Sequence, residues 1–136
     1  MLALIRRRLR TAAASGDRGA MALELSVIAP VVILLLFATI QAGLFFHARE
    51  VAHRAAQLGV DAGRSINAAP GDGPRAATSF LDRMGGSLQH PHVSPAGSSA
   101  TETVITVAGD VATLVPGLTW HVVQRVQAPH ERWINR

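Results

Sequence analysis

From Leu25 to Phe46 the chain runs for 22 residues without a charged side chain. At a rise of 1.5 Å per residue this makes about 33 Å of helix, enough for a hydrocarbon core of about 30 Å. The run contains Ser26, Thr39 and Gln41 as its mildly polar residues and Pro30 as its one helix breaker. It excludes most soluble folds, because so long an apolar helix would need a core larger than 136 residues can build around it. Immediately before it stands Glu24, in Arg18-Gly19-Ala20-Met21-Ala22-Leu23-Glu24. A carboxylate buried near the bilayer centre costs roughly 2.5–3.5 kcal/mol, so one kept at the edge of a span is a functional candidate by default.

Charge is unevenly placed. Residues 1–19 carry Arg6, Arg7, Arg8, Arg10 and Arg18 against Asp17, so the basic excess sits before the span. The segment after Phe46 carries eight Arg against seven acids. This distribution suits anionic headgroups and the positive-inside bias, and places residues 1–19 in the cytoplasm and residues 47–136 outside. It does not suit nucleic acid, which needs a basic face on the folded part. There is no cysteine, hence no disulfide to hold an exported domain together. Only about 90 residues follow Phe46, which allows one modest head.

Helical patterning continues beyond the span. Ala48, Val51, Ala55, Leu58 and Ala62 recur at spacings of three and four, forming a narrow seam of mostly small side chains. Such a seam lets another helix approach closely. Packing on its own domain is one use for it. Packing between subunits is the expectation adopted, because a helix from Ala20 to about Ser65 is nearly 70 Å long, too long for a small head to cover. Ala68 to Pro74 reads as a loop, Arg75 to Met84 as a short amphipathic helix closed by Gly85-Gly86, and Gln89 to Ala100 as a mobile connection. Thr103 to Ala108 and Leu118 to Ala128 read as strands, with Gly109-Asp110 as a turn. In the second strand Leu118, Trp120, Val122 and Val126 share one face. The expected fold class is α+β: a long N-terminal transmembrane helix leading into a small extracytoplasmic head, with one short helix and a small antiparallel sheet. The segments are a flexible basic leader (1–19), the long helix (20–66) and the head (67–136).

Arg18-Gly19-Ala20, Glu24, the apolar run with Pro30, Gln41-Ala42-Gly43, Ala55-Ala56 and Asp61-Ala62-Gly63-Arg64 together resemble the TadE-like family of pilus-assembly pseudopilins. The resemblance covers residues 18–64; the C-terminal half matches only in style, and Asp61 is a minor departure. It implies a minor pilin-like subunit of a tight-adherence (type IVb) pilus or related secretion system. A prepilin peptidase would cut between Gly19 and Ala20, Glu24 would direct docking, and Pro30 would shape the span. Implied partners are membrane lipid, the peptidase, other pilins and pseudopilins, and the inner-membrane assembly platform.

Other readings fit less well. A secretory signal would have an apolar region of about 7–15 residues, shorter than this one. A single-span anchor displaying a small extracytoplasmic binding domain is the main alternative; it gives Gly19 no role and makes the position of Glu24 accidental. No enzyme is expected, since there is no cysteine nucleophile, glycine-rich phosphate loop or serine elbow. No cofactor is implied. His90-Pro91-His92 with His121 or His130 could be arranged around a metal, but two histidines in a Ser/Pro/Gly stretch have no supporting hydrogen-bond logic, so no metal site is assigned.

Overall fold

The computed structural model describes residues 2–84, 86–115 and 117–131, with side chains from residue 19 onward. Five elements follow in order: α1 (Leu2–Arg64), α2 (Asp72–Met84), β1 (Leu88–Ser94), β2 (Glu102–Val111) and β3 (Trp120–Pro129). The architecture is the α+β arrangement expected. Gly85, one half of the expected stop after α2, lies outside the described residues. Internal contacts divide the chain into two compact units, Met1–Thr39 and Ile40–Arg136.

The first unit is purely helical. The leader, expected to be flexible, is helical from Leu2 onward, and α1 continues without a break through Pro30. Its apolar side chains lie in the open, from Leu25 at 66% exposure to Phe37 at 48%. An 18-residue window in the Gly19–Arg64 stretch reaches a mean hydropathy of 2.5 with none of it buried, so this helix is long and apolar enough to cross a membrane. The two hydroxyls of the apolar run are satisfied internally. Ser26 Oγ donates to the Leu23 carbonyl and Thr39 Oγ1 to the Leu35 carbonyl, each at 2.8 Å. Internal bonding of this kind is what a hydrocarbon environment requires.

The second unit packs the end of α1 and all of α2 on one face of a three-stranded antiparallel sheet, order β1-β2-β3. Ala48, Ala52, Ala55 and Ala56 of α1 are fully buried, as is Ala77 of α2. The sheet offers Ile105, Val107 and Val111 from β2 and Val122 from β3. The largest fully buried side chains are Ile105, Val60, Val104 and Val107, all branched aliphatics. A core of this size supplies modest stabilisation, roughly 1.5–3 kcal/mol for each large side chain buried.

The two helices cross at backbone contact. A methyl on Gly73 would stand 2.8 Å from the Gly59 carbonyl oxygen, and one on Gly63 would stand 2.9 Å from Thr103 Cγ2. Helix α2 begins at Asp72, three residues earlier than its apolar spacing indicated, and the Asp72 carboxylate reaches back to accept from the Ala69 N–H at 2.8 Å.

Two stretches differ from the expected pattern. Residues 89–100, expected as a mobile connection, contain most of β1. Its register shifts between Gln89 and His92, with His90 at φ +48°, so Pro91 lies in a bulge of an edge strand. There its missing N–H breaks no ladder. Gly109-Asp110, expected as a turn, lies inside β2, where Gly109 pairs with Val122 and Asp110 with His121. Glycine is needed there because Leu88 Cγ would lie 2.5 Å from any Cβ. Strand β3 begins at Trp120, two residues after the expected start, and Leu118 is exposed outside it.

Candidate functional site

The sequence candidates fall on two stretches of α1. Gly19, Ala20, Glu24 and Pro30 are all exposed on the first, apolar stretch. A side chain at Gly19 would meet nothing within 4 Å. Glu24 lies four residues, about one helical turn, beyond Ala20. Among the described residues Glu24 has no hydrogen-bond or ion-pair partner, whereas Ser26, Thr39 and Gln41 are each bonded within the chain. It is thus the one polar side chain from Glu24 through Phe46 left with its capacity unspent.

Ala48, Val51, Ala55, Leu58 and Ala62 do not form a free seam. Ala48 and Ala55 are fully buried and Val51 nearly so, all beneath the chain's own sheet. Leu58 is 42% exposed and lies off that face, while Ala62 is half-buried. The buried line instead runs Ala48, Val51/Ala52, Ala55/Ala56, Gly59/Val60. The expectation of contact with neighbouring helices is therefore corrected for Ala48, Val51 and Ala55. Small residues do permit a close helix crossing here, but the helix that arrives is α2 of the same chain.

One residue in the apolar run has a role that sequence reading missed. Gln41 is only 7% exposed. Its Oε1 accepts from the Leu114 N–H at 3.0 Å and its Nε2 donates to the Ala112 carbonyl at 3.4 Å. The amide thereby ties α1 to the segment joining β2 and β3. Close by, Phe45 meets Trp120 edge to face, with ring centroids 5.6 Å apart. An amide inside an apolar run was the visible signal, but its partner lies more than seventy residues away.

The histidines do not gather into one cluster. His121 Nδ1 lies 2.6 Å from Asp110 Oδ1 and His90 Nδ1 lies 3.5 Å from Asp110 Oδ2, on the open face of the sheet. His130 is elsewhere, its Nε2 3.3 Å from Thr103 Oγ1. Among the described residues no group of three or more His, Cys, Asp or Glu is arranged to hold a metal. A cleft of about 440 Å³ lies between residues 68–74 and 95–99. Its polar side chains are already engaged: Thr103 with His130, and Ser98 Oγ with both the carbonyl and N–H of Val104. Such a cleft has shape without unspent groups to orient a ligand.

Comparison with known proteins agrees with the resemblance read from the motifs. Residues 19–61 match the family model described as TadE-like protein. The matched stretch opens on Gly19 and takes in Glu24, Pro30 and the alanine-rich part of α1. No match was found among curated proteins or among solved structures.

Proposed function

We infer that this chain is a minor pilin-like subunit that helps assemble a tight-adherence (type IVb) pilus or related secretion system. Its segments act as a basic cytoplasmic leader (1–19), a long pilin-like helix (20–66) whose apolar first part spans the membrane, and an extracytoplasmic head (67–136). A membrane-embedded prepilin peptidase removes the leader after Gly19, and the new N-terminus is Ala20. Its role is structural, with no catalytic step, and its partners are lipid, the peptidase, other pilins and pseudopilins, and the inner-membrane assembly platform.

The observation that carries this reading is Glu24, exposed and unpartnered among the described residues beside a bare apolar helix whose other polar groups are spent. Cutting after Gly19 creates an ammonium one turn away. Glu24 pairs with the ammonium of a neighbouring subunit, each offsetting the other's burial cost where water is absent. Glu24 also lies near the positive end of the shortened helix, where an anion is favoured. Pro30 leaves the Ser26 carbonyl without its usual donor and provides the flexible point of the span.

N-terminal sequencing of protein extracted from membranes tests this directly. A start at Ala20 is expected, and replacing Gly19 with a bulky residue should leave the leader attached. Glu24→Ala should still be cut but should fail to assemble. The burial of Ala48, Val51 and Ala55 under their own sheet favours a second reading, a plain single-span anchor with a self-contained head. An intact Met1 would select that reading.

A further inference from the structure

We propose that the segment joining β2 and β3, residues 112–115 and 117–119, together with Trp120, is a lipid-contacting collar that seats the head in the bilayer interface. The proposal rests on α1 being a membrane span and goes beyond the assembly role.

The first observation is one of length. Helix α1 is bare only as far as Ile40, because Gln41 is buried and Leu44 and Phe45 are half-buried by the head. Leu25 to Ile40 supplies 16 residues, about 24 Å, which falls short of a hydrocarbon core of about 30 Å. Residues 41–46 supply about 9 Å more, but that stretch is sheathed on one side by the β2–β3 segment and Trp120. The sheath therefore lies at a depth where the helix itself is still hydrophobic.

The second observation is composition. Val111-Ala112-Thr113-Leu114-Val115-Pro116-Gly117-Leu118-Thr119-Trp120 contains no charge. Leu114, Val115, Leu118 and Trp120 are each 40–48% exposed. Phe46 on α1 is 63% exposed and its ring lies 5.8 Å from Phe45, which meets Trp120, so the patch adjoins the end of the apolar run. Charged residues concentrate in the other parts of the head, with Asp61, Arg64 and Glu131 grouped at the end of α1.

The third observation concerns the backbone of the segment and the ring beside it. Irregular backbone facing lipid is excluded from the hydrocarbon region, so a segment of this kind rests in the interface, where water serves the polar groups that the protein does not. Here the Ala112 carbonyl and the Leu114 N–H are held by Gln41, and the Val115 carbonyl accepts from Leu118 N–H and Thr113 Oγ1. Trp120, stacked edge to face on Phe45, has the amphipathic ring that marks membrane–water interfaces.

The chain contains no cysteine, so single cysteines report without background. Full-length V115C, L118C, L34C and S99C, each spin-labelled and reconstituted into phosphatidylcholine–phosphatidylglycerol vesicles, are compared by collision with oxygen and with a water-soluble nickel chelate. All four positions are exposed, so the head should keep its wild-type unfolding midpoint. The labels at 115 and 118 should favour oxygen over nickel, by less than the mid-span label at 34, while the label at 99 favours nickel. Labels at 115 and 118 that behave like 99, with 34 still in lipid, overturn the collar alone. A label at 34 open to nickel overturns the span, and the collar with it. Labels at 115 and 118 shielded from both reagents show protein as the occupant and overturn the lipid assignment.

Discussion

Gly109→Ala isolates one packing constraint that shapes the head. Gly109 lies buried in the middle strand, opposite Val122, with an ordinary strand conformation open to any residue. A methyl there would lie 2.5 Å from Leu88 Cγ, 2.8 Å from Leu88 Cδ2 and 3.0 Å from the Gln89 carbonyl oxygen. Carbon atoms prefer about 3.5–4.0 Å, so the overlap with Leu88 is about 1 Å. Leu88 is itself 7% exposed and fixed opposite Val111, so it cannot swing clear into solvent. Overpacking of this kind costs about 1–3 kcal/mol. Alanine recovers about 0.4–1 kcal/mol by restricting the unfolded chain. The difference spans about 0–2.6 kcal/mol, and an overlap of about 1 Å against a fixed side chain puts the loss in its upper part, about 1–2.6 kcal/mol, or roughly 4–20 °C in the melting temperature of a head this size.

A double-mutant cycle makes the reasoning refutable. Leu88→Ala alone should cost about 2–5 kcal/mol through the cavity it leaves. In the pair, the methyl added at position 109 enters that space, so the double variant should be more stable than the sum of the single losses by about 0.5–3 kcal/mol. Relief stays incomplete because the Gln89 oxygen does not move with the side chain. Urea unfolding of the full chain in detergent micelles, followed by tryptophan emission, measures all four proteins. Gly109→Ala at or above wild-type stability, or strict additivity in the pair, would refute the claim that Leu88 is what demands glycine.

Gln41→Leu should lower the head's stability by about 1–3 kcal/mol, since the Leu114 N–H and Ala112 carbonyl lose their partner, and thermal unfolding in detergent should show it. Gly73→Ala should cost about 1–3 kcal/mol because the Gly59 carbonyl oxygen, 2.8 Å from the new methyl, is backbone and cannot rotate away. Gly43→Ala, which meets nothing within 4 Å, should raise stability by up to about 1 kcal/mol through helix propensity, measured the same way. Arg64→Ala should shift the unfolding midpoint by less than about 1 kcal/mol, as its pairs with Asp61 and Glu131 are solvent-exposed.

Local signals made the outline legible. The apolar run, Pro30 and the alanine-rich continuation defined α1, because each depends on neighbours three or four places away. Phe80, Leu81 and Ala77 marked α2 in the same way, and alternation marked β3. Two features were lost because they depend on distant partners. Strand β1 carries His90-Pro91-His92 in a Ser/Gly/Pro setting that reads as loop; only its place at a sheet edge, with a bulge, makes proline acceptable. Gly109-Asp110 has turn chemistry, yet Leu88 arriving from β1 turns that glycine into a packing requirement. The candidate site divides likewise: Gly19, Ala20, Glu24 and Pro30 are candidates by spacing and resemblance, whereas Gln41's partner is legible from nothing local.

The alanine stripe shows how far spacing can carry a functional reading. Small side chains at intervals of three and four state that something approaches closely, and Gly59 and Gly73 confirm an approach to within backbone contact. They do not state what approaches. The head answers for residues 48–60, since α2 and the sheet fill that face and leave Leu58 outward. On the proposed assembly role, the surfaces left open for other subunits are the apolar side chains from Met21 to Ile40, with Glu24 among them. Docking through that stretch leaves the head's fold untouched. Substitutions there should alter assembly without moving the unfolding midpoint, while those on the buried stripe should move the midpoint first.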